Sequence, residues 1–196
     1  MTVSSPQTPL SFRPATPSDV PILLPLIRSA YRGEFSRKGW TTEADLVADQ
    51  RIDEHGLLAK IAEPEGAVLI VTDSSSSSSD TNGVDKPTTP LACCEIVRSK
   101  QNPQVAYFGL FAVSPERQAG GVGRKVLEFA EGYAKQEWGV SRMEMCVLWM
   151  RAELIAWYER RGYVKTGERR EFPYKEMVGG VALRDDLWFE VLEKGL

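Results

Sequence analysis

The stretch AYFGLFAVSPERQAGGVGRKVLEFAEGY, residues 106–133, decides the reading of this chain. It begins within an apolar run, Val105 to Val113, with the length and the β-branched and aromatic content of a central strand. It ends on Val122, Val126, Phe129 and Tyr133, which recur at helical spacing; the helix they imply should run to about Trp138 before Gly139 stops it. Between the two lies a tight, basic, glycine-rich turn, Arg117 to Gly123. A strand feeding a helix through such a turn aims the free amides of the helix N-terminus outward, and Gly121 and Gly123 let phosphate oxygens approach where a Cβ would collide. The turn is therefore an anion cradle. It lacks the Lys-Ser/Thr ending of a P-loop, and it is not a GxGxxG followed by a ribose-binding acid.

Upstream, Leu91 to Arg98 reads as a second central strand across a turn at Asn102 and Pro103, and Gly66 to Thr72 as a third. Leu10, Phe12 and Arg13 begin a short first strand. Thr16, Pro17 and Asp19 supply a cap, a first-turn proline and an acidic N3 residue, so a helix is expected to about Tyr31, bent or shifted by Pro25. Thr41 to Arg51 is expected to begin another capped helix, and Leu57 to Ala62 a third. Downstream, Arg142 to Trp149 reads as strand and Ala152 to Arg161 as a short helix ended by Gly162. Tyr163 to Arg169 and Leu187 to Leu192 complete the strands. This order predicts an α/β fold, a mixed sheet with helices on its faces. Residues 1–9 read as a flexible tail, and Asp73 to Thr89, which contains six consecutive serines, as a flexible connection within a single domain over residues 10–196.

Composition narrows the function. The 196 residues carry 24 Lys plus Arg against 27 Asp plus Glu, a formal net charge of -3, so there is no global positive field for nucleic acid or an anionic membrane. Cys93, Cys94 and Cys146 have no metal-like spacing, and no metal is expected. There is no signal-peptide pattern and no apolar run of the ~18 residues a membrane span needs. The chain reads as soluble, intracellular and cytoplasmic, with a homodimer left open.

Gln118, Gly121 and Gly123, following AVSPE (Ala112 to Glu116), resemble the Gln/Arg-x-x-Gly-x-Gly/Ala signature of the GNAT acetyltransferases. LIAWYERRGY, Leu154 to Tyr163, is similar to that family's acceptor-side helix, and the likeness extends over roughly residues 10 to 194. The resemblance implies a mostly antiparallel sheet in which the strands of Ala106 to Val113 and Met143 to Leu148 splay apart around the thioester of acetyl-CoA. Backbone near Phe111, Ala112 and Val113 would pair with the pantetheine. Amides of Gln118, Ala119, Gly120, Gly121, Val122, Gly123 and Arg124 would hold the pyrophosphate, and Tyr158 would protonate the departing thiolate. A phenol of ordinary pKa near ~10 is a donor of suitable strength.

Two positions depart from the family pattern: Arg151 stands where Asn is common, and Gly109 where many members have a Glu base. The base is left among Glu95, Glu144 and a water relay. His55 reads as a solvated helix end, and Cys146 as a packed strand thiol with no histidine nearby to activate it. Tyr31, Glu34, Trp40, Glu43 and Arg151 are candidates for the acceptor side, together with Arg169, Arg170 and Tyr174. The basic cluster of Arg160, Arg161, Lys165, Arg169 and Arg170 suits an acidic acceptor, the ribose phosphate or a solvated face. The expected activity is N-acetylation of a small-molecule amine. A protein N-terminal or lysine acetyltransferase and a non-catalytic acyl-CoA-binding module are the alternatives.

Overall fold

Strands β1 (Leu10–Pro14), β3 (Gly66–Asp73), β4 (Ala92–Arg98) and β5 (Val105–Val113) form one antiparallel half of a seven-stranded sheet. β6 (Arg142–Leu148), β9 (Trp188–Gly195) and β7 (Val164–Glu171) form the other, in the order β6-β9-β7 and again antiparallel. The halves meet through a single parallel contact, β5 against β6. The computed structural model describes residues 9–74 and 89–196. The expected loose tail and serine-rich connection fall largely on residues 1–8 and 75–88, outside the described residues.

Helix α4 (Val122–Trp138) buries Val122, Val126, Leu127, Ala130 and Ala134, the one-sided stripe that its 3.6-residue period requires. This stripe packs with Leu69, Cys94, Ile96 and Phe108 on one face of the sheet, and α5 (Ala152–Glu159) adds Leu154, Ile155 and Tyr158 to the same cluster. On the opposite face, α1 (Val20–Tyr31) and α3 (Glu54–Ile61) cover Val68, Ile70, Cys93, Leu110 and Ala112. Helix α1 is preceded by a 3-10 turn, Pro17–Asp19, in which the Asp19 carboxylate accepts the Thr16 amide at 2.8 Å and pairs with Arg13 at 2.7 Å. Pro25 lies inside α1 rather than at its start.

The expected helix from Thr41 to Arg51 is not formed. Leu46 and Val47 donate to the Glu43 carbonyl for one turn, and the chain then extends into β2 (Val47–Ala48), which pairs with β8 (Val181–Ala182). A local cap signal is overridden here by a tertiary strand partner and by the ion pairs that Glu43 and Asp49 make. Helix α2 (Gly33–Ser36), β2 and β8 had no signal strong enough to predict them.

Two irregularities shape the centre. In β5, Cys93 pairs with Ala112 but Glu95 pairs with Gly109, so Leu110 and Phe111 together oppose Cys94, and Leu110 takes φ of +45°. This β-bulge reverses the facing of the strand. Before it Ala106 and Phe108 point toward α4; after it Leu110 and Ala112 point toward α1, and Phe111 and Val113 turn toward α4. The second irregularity is that β5 and β6 pair only over Val105–Tyr107 and Arg142–Glu144. Beyond those residues each bonds only to its outer neighbour, and the strands diverge into a wedge.

Candidate active site

A cavity occupies this wedge. At one end are Gly121, Gly123 and Arg124 at the start of α4, with Trp157 and Arg161 of the α5 region; at the other are Tyr31, Arg51, Phe172 and Phe189. Tyr158 lines it between β5 and β6.

The first end is made largely of backbone. Gly121 takes φ of +74°, a left-handed conformation that glycine adopts without a Cβ penalty, and from it α4 starts with its first-turn amides lacking partners within the helix. A Cβ at Gly123 would lie 3.4 Å from the Phe111 ring and 3.7 Å from Trp157, so a larger side chain would fill the cleft. Gln118 acts through its side chain. Its Nε2 donates to the Val113 carbonyl at 3.2 Å while its Oε1 accepts the Trp40 amide at 3.1 Å, tying the glycine turn to the loop after α2. The Arg161 guanidinium lies 3.6 Å over the Trp157 ring and donates to the Trp157 carbonyl, and its Nε is buried without a partner among the described residues. Burial and then the charges of Arg160 and Arg124 lower its pKa, the mark of a crowded positive site beside an amide-rich helix start. Such an end can hold a polyanion.

In the middle, Tyr158 is 4% exposed, and its ring packs edge-on against Trp157 and Tyr163. Burial, with smaller contributions from Tyr31 and Tyr107, pushes its pKa well above the usual phenol value, so it stays protonated but is a weaker acid than the ordinary phenol expected from the sequence. Its hydroxyl makes no hydrogen bond to the described residues.

The second end is made of side chains. Glu43 is held between Arg32 and Arg151 at 2.5 Å each, Arg32 also binds Asp49, and Arg151 donates to Thr41 Oγ1 at 2.9 Å. Burial pushes the Glu43 pKa up, but Arg151, Arg32 and Arg51 outweigh it and hold the carboxyl below its usual range. The Tyr31 hydroxyl donates to the Phe111 carbonyl at 2.9 Å.

Of the residues singled out in the sequence, Phe111, Val113, Gln118, Gly121, Gly123, Arg124, Tyr31, Trp40, Arg151 and Tyr158 all line the cavity. Several do not. Ala112 and Val122 point into the core, Gly120 is absent from the lining, and Glu34 is exposed against Arg37. Ala119 belongs to the 3-10 turn Pro115–Gly120, and its side chain lies outside the described set. Neither Glu95 nor Glu144 reaches the cavity: Glu95 is buried with both oxygens on Lys60 Nζ at 2.7 and 2.8 Å, and Glu144 pairs with Arg170 at 2.8 Å. The space a longer residue would need at Gly109 is taken, since a Cβ there would lie 2.7 Å from the Tyr107 ring and 3.2 Å from Glu95. Sequence reasoning missed Arg32, Asp49, Arg51, Trp157, Phe172 and Phe189 as cavity residues. Among the described residues no His, Cys, Asp and Glu cluster suits a metal, and no helix is long and apolar enough to cross a membrane.

No curated protein sequence matches the chain significantly. Solved structures share its fold. A GCN5-related N-acetyltransferase from Kribbella flavida aligns over 95% of this chain and 98% of its own, at 18% identity and a TM-score of 0.62. Spermidine N-acetyltransferase from Vibrio cholerae, solved with CoA and spermine, aligns over 95% of both chains at 14% identity and a TM-score of 0.63. The ribosomal-protein-S18-alanine N-acetyltransferase of Escherichia coli covers 95% of this chain and 93% of its own, at 14% identity and a TM-score of 0.59. The acetyltransferase (GNAT) family matches residues 27–163, the stretch that holds the glycine turn, the splayed strands and Tyr158, and the chain belongs to that family.

Proposed function

We propose that this protein transfers the acetyl group of acetyl-CoA to a primary amine of a small molecule by direct attack, with residues 10–196 acting as one catalytic unit. One observation carries the reading: a buried, protonated Tyr158 lies in the wedge between strands that splay beside an amide-lined, positively charged helix start. Acetyl-CoA supplies an activated thioester.

The amides of Val122, Gly123 and Arg124, with the Arg124 and Arg161 charges, suit the pyrophosphate. The Phe111 and Val113 carbonyls accept from Tyr31 and Gln118 and retain a second lone pair for the pantetheine amides. The thioester would then lie in the wedge that Tyr158 lines. As the amine nitrogen bonds to the carbonyl carbon and the carbon–sulfur bond breaks, the Tyr158 hydroxyl donates to the sulfur and passes its proton to the thiolate. The proton the amine loses restores Tyr158 or leaves through water. Glu43 serves poorly as a base, because two arginines already hold its oxygens.

Mixing the protein with acetyl-CoA and a panel of amino acids, polyamines, amino sugars, arylamines and peptides, while following thiol release and product mass, tests the reading. Amine-dependent thiol release with an acetylated small molecule is expected. Tight CoA binding with no release on any amine would replace it with a non-catalytic acyl-CoA-binding role.

A further inference from the structure

The acceptor end of the cavity has a charge that its own network does not neutralise. Arg32, Arg51 and Arg151 meet there with two buried carboxylates, Glu43 and Asp49, and one positive charge is left over. The surplus is localised. Arg32 and Arg151 are ion-paired, whereas the Arg51 guanidinium makes no hydrogen bond and no ion pair to the described residues. It lies over the Tyr31 ring, 4.9 Å from the centroid. Arg151 Nε is also buried without a partner among the described residues. Among the described residues the only further carboxylate lining the cavity, Glu176, is exposed.

The backbone holds Arg51 in place. Its φ of +63° is rare for a non-glycine residue, and the Ile52 amide donates to the Gln50 carbonyl at 2.7 Å, which closes a γ-turn of the uncommon positive-φ form around it. Asp49 fixes that turn by accepting the Arg51 amide at 2.9 Å, and Gln50 is tied to the Val178 carbonyl at 2.9 Å. Strained backbone of this kind persists where the surroundings over-determine it, and here it sets an unpaired, planar, five-donor cation on the cavity wall. Such a group in a partly desolvated cleft is matched by a carboxylate. Phe172, Met177 and Phe189 supply apolar surface in the same cavity.

Building on the acetyl-transfer reading above, we propose that Arg51 binds a carboxylate on the acceptor, so that the amine acetylated belongs to an amino carboxylate rather than to a polyamine. The test compares matched pairs that differ by the carboxylate alone: phenylalanine with 2-phenylethylamine, tryptophan with tryptamine, and 4-aminobutyrate with propylamine, with spermidine alongside. Thiol release is measured with acetyl-CoA, and binding to the CoA-loaded protein by calorimetry. In at least one pair the carboxylate member should have a kcat/KM about ten- to a hundredfold higher, from the worth of a charge-assisted contact. Arg51→Gln should abolish that preference, and Arg51→Lys should restore part of it. Equal or better turnover of the decarboxylated partners or of spermidine overturns this inference and leaves acetyl transfer standing. Arg51-dependent binding of a carboxylate member, with no thiol release from any amine, keeps the Arg51–carboxylate contact and overturns acetyl transfer. No binding of any carboxylate member, by a protein that binds CoA, overturns the inference whether or not other amines react. The wild-type pairs decide the matter even if an Arg51 variant misfolds.

Discussion

The two ends of the cavity are built from different materials. The glycine-turn end is backbone: a left-handed Gly121, a helix start and the bare surface of Gly123 against Phe111 and Trp157. The other end is side chain, a lattice of Arg32, Glu43, Asp49 and Arg51 from one region of the chain joined by the distant Arg151. A backbone site recognises what every member of a fold family shares, whereas a side-chain site can change its ligand by substitution. The difference teaches that the proposed cofactor binding and the proposed acceptor choice of this protein should fail separately under mutation.

The largest expected effect is at the side-chain end. Glu43→Gln leaves Arg32 and Arg151 buried without their shared counter-charge and should cost roughly 3–5 kcal/mol of stability, read from denaturant unfolding. The sign with pH is fixed. Glu43 has a folded pKa below its usual range, so its contribution is fully present above the unfolded value near ~4.3 and is lost as pH falls through the lower folded value. The gap between wild type and variant should therefore be constant near neutrality and shrink in acid. A gap that grows in acid would show that the network does not stabilise the ionised form.

Next in size is the chemistry between the two ends. Tyr158→Phe keeps the ring packing against Trp157 and Tyr163 but removes the hydroxyl, and should lower single-turnover acetyl transfer by about 10²-fold with CoA affinity little changed. Equal single-turnover rates would make Tyr158 a packing residue. At the backbone end, Gly121→Val places a β-branched residue at φ of +74° beside the amide cradle. It should weaken CoA binding by roughly tenfold or more, a loss of ~1.4 kcal/mol, in calorimetry on a folded sample. Unchanged affinity would move the cofactor elsewhere. An effect of similar size, on stability alone, lies outside both ends. Asp19→Ala removes the acceptor of the Thr16 amide and the partner of Arg13, and should cost about 1–2 kcal/mol in thermal unfolding without altering CoA affinity.

This contrast also explains what the sequence could show. The glycine turn was legible because strand, turn and helix are contiguous, and Gln118, Gly121 and Gly123 all line the cavity. The long helix α4 was legible from its period, since it buries one face, and the central strands from unbroken apolar runs, since they are covered on both faces. The Thr41 to Arg51 segment was misread because its helix signal is local, while β8 and the ion pairs with Arg32 and Arg151 are not. Glu95 and Glu144 were sensible bases on paper; Lys60 and Arg170, distant in sequence, claim them. Arg51 had no mark in the sequence, for its isolation follows from which neighbours already hold Asp49 and Glu43.

The central claim is that the cavity takes the cofactor's phosphates at the glycine turn and its thioester arm along the splayed strands. Titrating isotope-labelled protein with CoA and following backbone amide and arginine Nε resonances tests this most directly. The account predicts the largest shifts at the amides of Gly121, Val122, Gly123 and Arg124, smaller ones at Phe111 and Val113, and a nearly stationary Arg51 Nε. Largest shifts at Arg51 and Arg151, with the glycine-turn amides unmoved, would contradict it.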